Sequence, residues 1–177
     1  MSTVILDAGH GGFDNGATYM GRREKDDALK LTLAVGQKLI DRGINVNYTR
    51  TTDVYQRPID KANLANSLGG DLFVSIHRNS SETPNVFNGV QTLIFNGGDI
   101  KETYANNINQ ALENVGFANL GIDIRPNLVV LKRTQMPALL VETGFLNSDR
   151  DNQIFDWSFD AVATAIADGI ANSLAMS

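Results

Sequence analysis

The sequence predicts an α/β fold, in which a single domain is built on a twisted, mixed but mostly parallel sheet of about six strands with helices on both faces. Apolar runs of strand length alternate along the chain with amphipathic segments of helix length, and this order implies crossover connections between parallel strands. The chain has 177 residues, of which 42% are hydrophobic and 20% charged. That is enough for one substantial core, and no repeat or linker divides the chain, so we predict one domain over residues 1–177.

The first part of the chain predicts a strand, a loop and a helix. A strand over about 3–9 is followed by a polar, glycine-rich loop over 11–23 and by a helix over about 25–42. Gly43 is placed to end that helix. The helix assignment depends on apolar residues at spacings of three and four, which form one stripe: Ala28, Leu31, Val35 and Leu39.

The rest of the chain continues this alternation. A strand over 44–48 precedes a helix over 59–68, and the continuous apolar run over 72–76 is typical of a strand covered on both faces. The run over 90–95 follows without an intervening helix, so we expect it to pair antiparallel. The remaining predicted elements are a helix over 100–115, short strands near 128–131 and 138–141, a short helix over 149–155 and a closing helix over 161–174.

Composition and charge exclude several classes of function. The net charge of -5 and the pI near 4.9 argue against a nucleic-acid partner, which needs clustered Lys and Arg. No apolar stretch reaches 18 residues, so we expect no membrane insertion. Strand-like sequence begins within three residues of Met1, so we expect either a protein made without a secretory signal or one that has lost it. The absence of cysteine restricts a metal site to histidine, carboxylate and water.

Both histidines of the chain follow predicted strands. His10 closes the run Val-Ile-Leu-Asp-Ala-Gly-His, and His77 closes Leu-Phe-Val-Ser-Ile-His. In sheets of this class, ligands collect beyond the carboxyl ends of the strands. A lone histidine at a strand end is more often a hydrogen-bonded structural residue than a ligand, but two at equivalent strand ends favour one shared site.

Two glutamates complete the candidate site. Glu24 follows the glycine-rich loop, although an acid in the first turn also stabilises a helix, as Asp26 and Asp27 would equally do. Glu142 ends the run Ala-Leu-Leu-Val-Glu at a buried strand end, where an ion pair with an arginine is the structural alternative. Two histidines and one carboxylate form a tripod for Zn²⁺ that leaves a position for water, and the second carboxylate could act as base.

These residues lie in motifs that resemble the zinc-dependent N-acetylmuramoyl-L-alanine amidases of bacterial cell-wall turnover, of the amidase 3 type. The motifs span nearly the whole chain in the family's order: Asp7-Ala8-Gly9-His10-Gly11-Gly12, Gly16-Ala17, Glu24, Thr49-Arg50-Thr51-Thr52-Asp53, Ser75-Ile76-His77-Arg78-Asn79-Ser80 and Val141-Glu142-Thr143-Gly144-Phe145-Leu146. The resemblance implies that His10, Glu24 and His77 bind one Zn²⁺ per chain and that Glu142 is the catalytic base and acid. It also implies a twisted sheet of roughly six strands.

The resemblance further implies hydrolysis of the amide between the lactyl group of N-acetylmuramic acid and the L-alanine of the stem peptide. Zinc would polarise the carbonyl and activate a water, while Glu142 would take the proton of the water and pass it to the departing amine. The partner is then peptidoglycan, and the protein acts on the bacterial wall as an exported autolysin, a sporulation enzyme or a phage endolysin. We expect a monomer, with any wall-binding module on a separate segment.

Two alternatives stay open from the sequence. One is a zinc peptidase that cuts within the stem peptide by the same chemistry, and the other is a non-catalytic wall-binding module.

Substrate contacts are predicted next to the second histidine. Asn79 and Ser80 are candidates for hydrogen bonds to peptide or sugar, with a turn-forming role equally open. Arg78 occupies a position that is usually small in the family, so we expect it to narrow the cleft, bind a stem-peptide carboxylate or project into solvent. We also expect Asp7 to have either a structural role or an outer role in which it holds a ligand ring through a hydrogen bond.

Overall fold

A six-stranded sheet forms the centre of the molecule in the computed structural model, which describes residues 1–176. The strands are β1 (Thr3–Ala8), β2 (Thr18–Tyr19), β3 (Arg22–Arg23), β4 (Asn45–Tyr48), β5 (Leu72–Asn79), β6 (Val90–Ile94), β7 (Asn119–Ile124) and β8 (Ala138–Phe145). The sheet order is β4-β1-β5-β8-β6-β7, and β2 and β3 pair separately. Neighbours in the sheet are parallel except β6 and β8, which are antiparallel. The predicted mixed, mostly parallel sheet is therefore confirmed.

Helices cover both faces of this sheet, as predicted. They are α1 (Glu24–Asp41), α2 (Pro58–Leu68), α3 (Ile100–Val115), α4 (Val129–Lys132), α5 (Asp149–Trp157) and α6 (Phe159–Leu174). The five predicted helices agree with these bounds to within two residues at each end, and α4 is an addition.

The alternation of side chains along the strands produces two apolar layers. Val4 points into a large core shared with α1, α3 and α6, whereas its neighbour Ile5 points into a smaller core beneath α2 and α4. Burying one such side chain stabilises the fold by roughly 1.5–3 kcal/mol. Because β1 and β5 are covered on both faces, their apolar runs are continuous, as the sequence indicated for β5.

Two predictions about the segment between α3 and β8 are wrong. The predicted strand near 128–131 is the short helix α4, whose Val130 and Leu131 pack in the smaller core. A short apolar run does not distinguish a strand from a buried helical turn. The edge strand β7, which the sequence analysis did not predict, alternates polar Asn119 and Asp123 with apolar Ile122 and Ile124, and this period of two was the available signal.

The parallel arrangement brings the candidate site residues to one edge of the sheet. His10 lies two residues beyond the end of β1, and His77 lies near the end of β5. Glu142 in β8 is the direct register partner of His77. Glu24 is the first residue of α1, which returns along the sheet from that edge.

Among residues 1–176, no helix combines the length and apolar character required to cross a bilayer.

Candidate metal centre

Three of the predicted residues converge on one point. His10, Glu24 and His77 each present a ligand atom, and these atoms all lie within 4.8 Å of one another. Glu24 lies between the two rings, with Oε2 3.0 Å from Nε2 of His10 and Oε1 2.9 Å from Nδ1 of His77. Two imidazoles and one carboxylate are a ligand set of catalytic zinc sites, in which a further position stays open. The donor set therefore fits the predicted ion.

The backbone around His10 is shaped to make this approach possible. His10 itself has a φ of 61°, in the left-handed region that few non-glycine residues adopt. Gly16 also has a positive φ, and a Cβ at that position would lie 2.5 Å from both Oε2 of Glu24 and Cδ2 of His10. Gly9 is equally constrained, because a Cβ there would lie 2.4 Å from the ring of His77. The glycines are thus required by the close approach of the ligands.

Asp14 orients His10, and the sequence analysis did not identify it. Its Oδ2 lies 2.8 Å from Nδ1 of His10, while its Oδ1 accepts a hydrogen bond from the backbone of Gly16. A proton held on Nδ1 leaves the Nε2 lone pair directed at the cluster, which is how outer carboxylates commonly orient metal-binding histidines. The available signal was an acid four residues after a histidine in a glycine-rich loop.

Asp7 has the structural one of its two predicted roles, and among the described residues it makes no hydrogen bond to a ligand ring. It is buried and accepts hydrogen bonds of 2.6 Å from the hydroxyls of Thr49 and Ser75. Lys61 completes the arrangement with an ion pair of 2.9 Å. Asp7 therefore joins β1 to its neighbours beneath the site.

Glu24 differs from its acidic neighbours in its hydrogen-bond partners. The backbone N–H groups of Ala17 and Arg78 donate to its two carboxylate oxygens, at 2.9 and 3.2 Å. Asp26 and Asp27 instead pair with arginine side chains. Burial raises the pKa of Glu24, but the hydrogen bonds and charges of the two histidines outweigh it and hold the pKa well below its usual range. Glu24 is therefore held as a carboxylate facing the cluster.

The pKa of His10, whose imidazole faces Glu24, is shifted in the opposite direction. Burial alone lowers its pKa, but its hydrogen bonds and charge interactions with Glu24 and Asp14 raise it to about 9. In the absence of metal, a proton would take the place of the cation between these groups.

Glu142 lies across the cavity in a different environment. The residue is half-buried, and its Oε2 has no hydrogen-bond partner among residues 1–176. Burial raises the pKa of Glu142 to about 7, and the charge of Glu24 also raises it, whereas His77, His10 and Arg125 lower it. The predicted structural alternative, an ion pair with an arginine, is absent from the described residues. Glu142 lines the same cavity of about 350 Å³ as the two histidines and Glu24.

The side chain of Arg78 does not project into solvent, so that expectation is wrong. Its side chain is 1% exposed, and its guanidinium pairs with Asp27 at 2.7 Å and donates to Asn152 at 2.8 Å. It also lies 4.3 Å from the ring centre of Phe155. With these partners the guanidinium connects α1 to α5, which leaves no exposed group for a stem-peptide carboxylate.

Asn79 and Ser80 line the cavity beside Glu142. Oδ1 of Asn79 accepts a hydrogen bond of 2.8 Å from the backbone N–H of Ser80. Both the turn-forming role and substrate binding stay predictions for these two residues. Arg125 lines the same cavity and was not identified from the sequence, because it is an isolated arginine after a strand that was not predicted.

Comparison with known proteins agrees with this geometry. The sequence model of a family described as N-acetylmuramoyl-L-alanine amidase matches residues 4–172. The sporulation-specific N-acetylmuramoyl-L-alanine amidase of Bacillus subtilis is 36% identical over 179 residues, covering 98% of this chain and 67% of its own length. The endolysin of Bacillus phage SPP1 is 35% identical, covering 97% of this chain and 65% of its own length. Parts of both relatives thus lie outside the match.

Solved structures show the same fold. The N-acetylmuramoyl-L-alanine amidase from Clostridium difficile 630 superposes with a TM-score of 0.92 and 33% identity, covering 98% of this chain and 97% of that one.

Proposed function

This chain belongs to the N-acetylmuramoyl-L-alanine amidase family of hydrolases, and on that basis we propose that it is zinc-dependent and cleaves the amide between the lactyl group of N-acetylmuramic acid and L-alanine in peptidoglycan. The observation that carries the proposal is one cavity that contains both a compact His-Glu-His cluster and a glutamate whose Oε2 has no hydrogen-bond partner among residues 1–176. The cluster supplies the ligands for one ion per chain, and Glu142 supplies a group able to accept and return a proton.

Zinc held by His10, Glu24 and His77 would polarise the scissile carbonyl and make a water more acidic. The protein's own contribution to holding the ion lies in the contacts around the ligands. Asp14 keeps Nε2 of His10 directed at the cluster, and the N–H groups of Ala17 and Arg78 hold the carboxylate of Glu24 in place. Such outer contacts raise metal affinity because they reduce the freedom that the ligands lose on binding.

Glu142 moves the proton in this proposal. As a carboxylate it takes a proton from the attacking water while the water oxygen bonds to the carbonyl carbon. As an acid it then delivers that proton to the nitrogen of L-alanine when the carbon–nitrogen bond breaks, so that the leaving group departs as a neutral amine. Burial raises the pKa of Glu142, which favours its acid form, whereas the charge of a bound Zn²⁺ would favour the carboxylate that takes up the proton.

The cell wall is the proposed place of action. Among the similar proteins are a phage endolysin and a sporulation-specific amidase, which both agree with a peptidoglycan substrate. We propose that the protein acts there as a monomer, with no nucleic-acid partner and no insertion into the membrane, and that Asn79 and Ser80 contact the substrate.

Metal analysis coupled to product analysis tests this function. The purified protein is dialysed, its zinc content is measured, and purified sacculi are digested and analysed by mass spectrometry. The expected result is one zinc per chain, new L-alanine amino termini and an intact glycan. New termini within the stem peptide would instead identify a peptidase. Full activity in the presence of a strong chelator would contradict zinc dependence.

A further inference from the structure

The cleft around the cluster has two unlike parts. One part, the polar lobe, has a volume of about 350 Å³, and Asn79, Ser80, Arg125 and Glu142 line it together with Arg78 and three leucines. The other part, the apolar lobe, has a volume of about 290 Å³ and a mostly apolar accessible surface. Its apolar lining residues include Tyr55, Pro58, Val129 and Val130, and its polar ones are Asp7, Asp14, Gln56, Lys61 and Asn127. His10 and His77 line both lobes, so the two lobes meet at the cluster.

The position of Glu142 determines the direction in which a substrate amide crosses this cleft, if the proposed function is correct. A general acid must reach the leaving nitrogen within hydrogen-bond distance, directly or through one water. Glu142 lines the polar lobe and does not line the apolar lobe. The nitrogen, and the peptide attached to it, must therefore lie on the polar side, which places the lactyl group and the sugar on the apolar side.

Arg125 is the cation available to a ligand in the polar lobe. Its side chain is 54% exposed, whereas the neighbouring Arg78 is buried and paired within the protein. The backbone N–H of Arg125 donates to the carbonyl of Ile94 at 2.8 Å, so the residue is held at the edge of the sheet.

The guanidinium of Arg125 is only partly used. Among the described residues it makes one hydrogen bond, from Nε to Asp123 at 2.6 Å. The N–H groups of its two terminal nitrogens therefore have no partner among the described residues and can donate to a ligand. A guanidinium binds a carboxylate most strongly through two parallel hydrogen bonds. Arg125 lines the same cavity as Glu142, which places it near the proposed path of the peptide.

We propose that Arg125 is a specificity-determining residue that binds a carboxylate of the stem peptide, with the peptide in the polar lobe and the sugar in the apolar lobe. A stem peptide provides this group at its terminus and at any acidic residue. Arg125 thereby takes the role that the sequence predicted for Arg78. The proposal rests on the amidase function and adds the orientation of the substrate and the group that is recognised.

A matched pair of synthetic muramyl peptides tests the role of Arg125. The two compounds differ only in whether the residue after L-alanine has a free carboxylate or a carboxamide, and kcat/KM is measured for both. We expect the wild type to prefer the carboxylate about tenfold, and the Arg125→Gln variant to lose that preference, whatever its rate on the carboxamide. Arg42→Gln is the control, because Arg42 also donates from Nε to an aspartate but lies at the end of α1, outside both lobes.

The ratio of the two rates separates recognition from indirect effects. A change in Glu142 or in folding would alter both rates equally, so an equal loss on both compounds would overturn the proposal. A wild type without any preference would also overturn it, while leaving the amidase function intact. If the wild type cleaved neither compound nor sacculi, the proposed function itself would fail.

A variant in the apolar lobe tests the orientation. Tyr55→Ala should reduce the rate advantage of a muramyl peptide over a sugar-free lactyl peptide and leave the preference for the carboxylate unchanged. Loss of the carboxylate preference in Tyr55→Ala, with the sugar advantage intact, would show that the substrate lies in the opposite direction.

Discussion

Two glutamates on opposite sides of one cavity show how the surrounding structure assigns different chemistry to the same side chain. Glu24, at the start of α1, accepts two backbone hydrogen bonds and faces both imidazoles, and its pKa is lowered. Glu142, in β8, has an unpaired oxygen, and burial raises its pKa to about 7. A carboxylate that stays ionised suits a metal ligand, whereas one that titrates near neutrality suits a proton carrier. Burial raises the pKa of both glutamates, so the difference comes from the hydrogen bonds that Glu24 shares with both histidines.

Replacing the proton carrier should have the largest effect on catalysis. We expect Glu142→Gln to lower kcat by roughly 10²–10⁴-fold, because general acid and base catalysis is lost while shape is kept. Zinc content after dialysis should equal that of the wild type. Added zinc should not restore the rate, and a metal-loaded variant with wild-type activity would show that Glu142 has no role in proton transfer.

Replacing Glu24 should instead affect zinc binding first. Glu24→Gln removes an ionised ligand, so we expect zinc affinity to fall by more than the roughly 10–100-fold that loss of an outer contact costs. Competition with a chromophoric chelator measures this affinity. Activity should return at least in part with excess zinc, in contrast to Glu142→Gln, and unchanged zinc affinity would remove Glu24 from the ligand set.

The outer contact on His10 should have a smaller effect of the same kind. Asp14→Asn keeps the size of the side chain but weakens its hold on the Nδ1 proton, so we expect zinc affinity to fall roughly 10–100-fold. Asp149→Asn serves as control, because Asp149 lies outside the cleft and accepts hydrogen bonds from Tyr19 and Asn85. Equal zinc affinities of the two variants would mean that Asp14 does not orient the ring.

The effect with the smallest consequence for catalysis should be the pH dependence of stability in the protein without metal. The pKa of Glu142 is about 7 in the folded protein against 4.5 as its ordinary value, so the folded state binds more protons between these values. The contribution of Glu142 to the free energy of unfolding is therefore greatest below pH 4.5 and is lost as pH rises through 7.

The Glu142→Gln variant separates the contribution of Glu142 to stability from the contributions of the other titrating groups. Relative to the wild type, it should gain stability on the order of 3 kcal/mol between pH 4 and pH 8, as measured by denaturant unfolding in the presence of chelator. A stability difference that does not change with pH would mean that Glu142 titrates normally.

Much of the fold could be predicted because the determining patterns are local. The stripe on α1 and the apolar run of β5 each lie within one element, and their periods indicate helix and strand directly. Parallel strand order then brought His10 and His77 to one edge. The errors lie between α3 and β8, where a short apolar run forms the helix α4 and the alternating pattern of a short, partly exposed edge strand was missed.

The candidate site also divides into features that local patterns predict and features that they do not. That two histidines and Glu142 end apolar strands could be predicted, because the alternation of buried strands and polar ends is visible along the chain. The folded structure was needed to show which of three acids near residue 24 faces the histidines, that Asp14 orients His10, and that Arg125 rather than Arg78 has an exposed guanidinium. These outcomes depend on contacts between separate elements. Glu24, for example, meets His77 across 53 residues of chain, and no local period encodes such a contact.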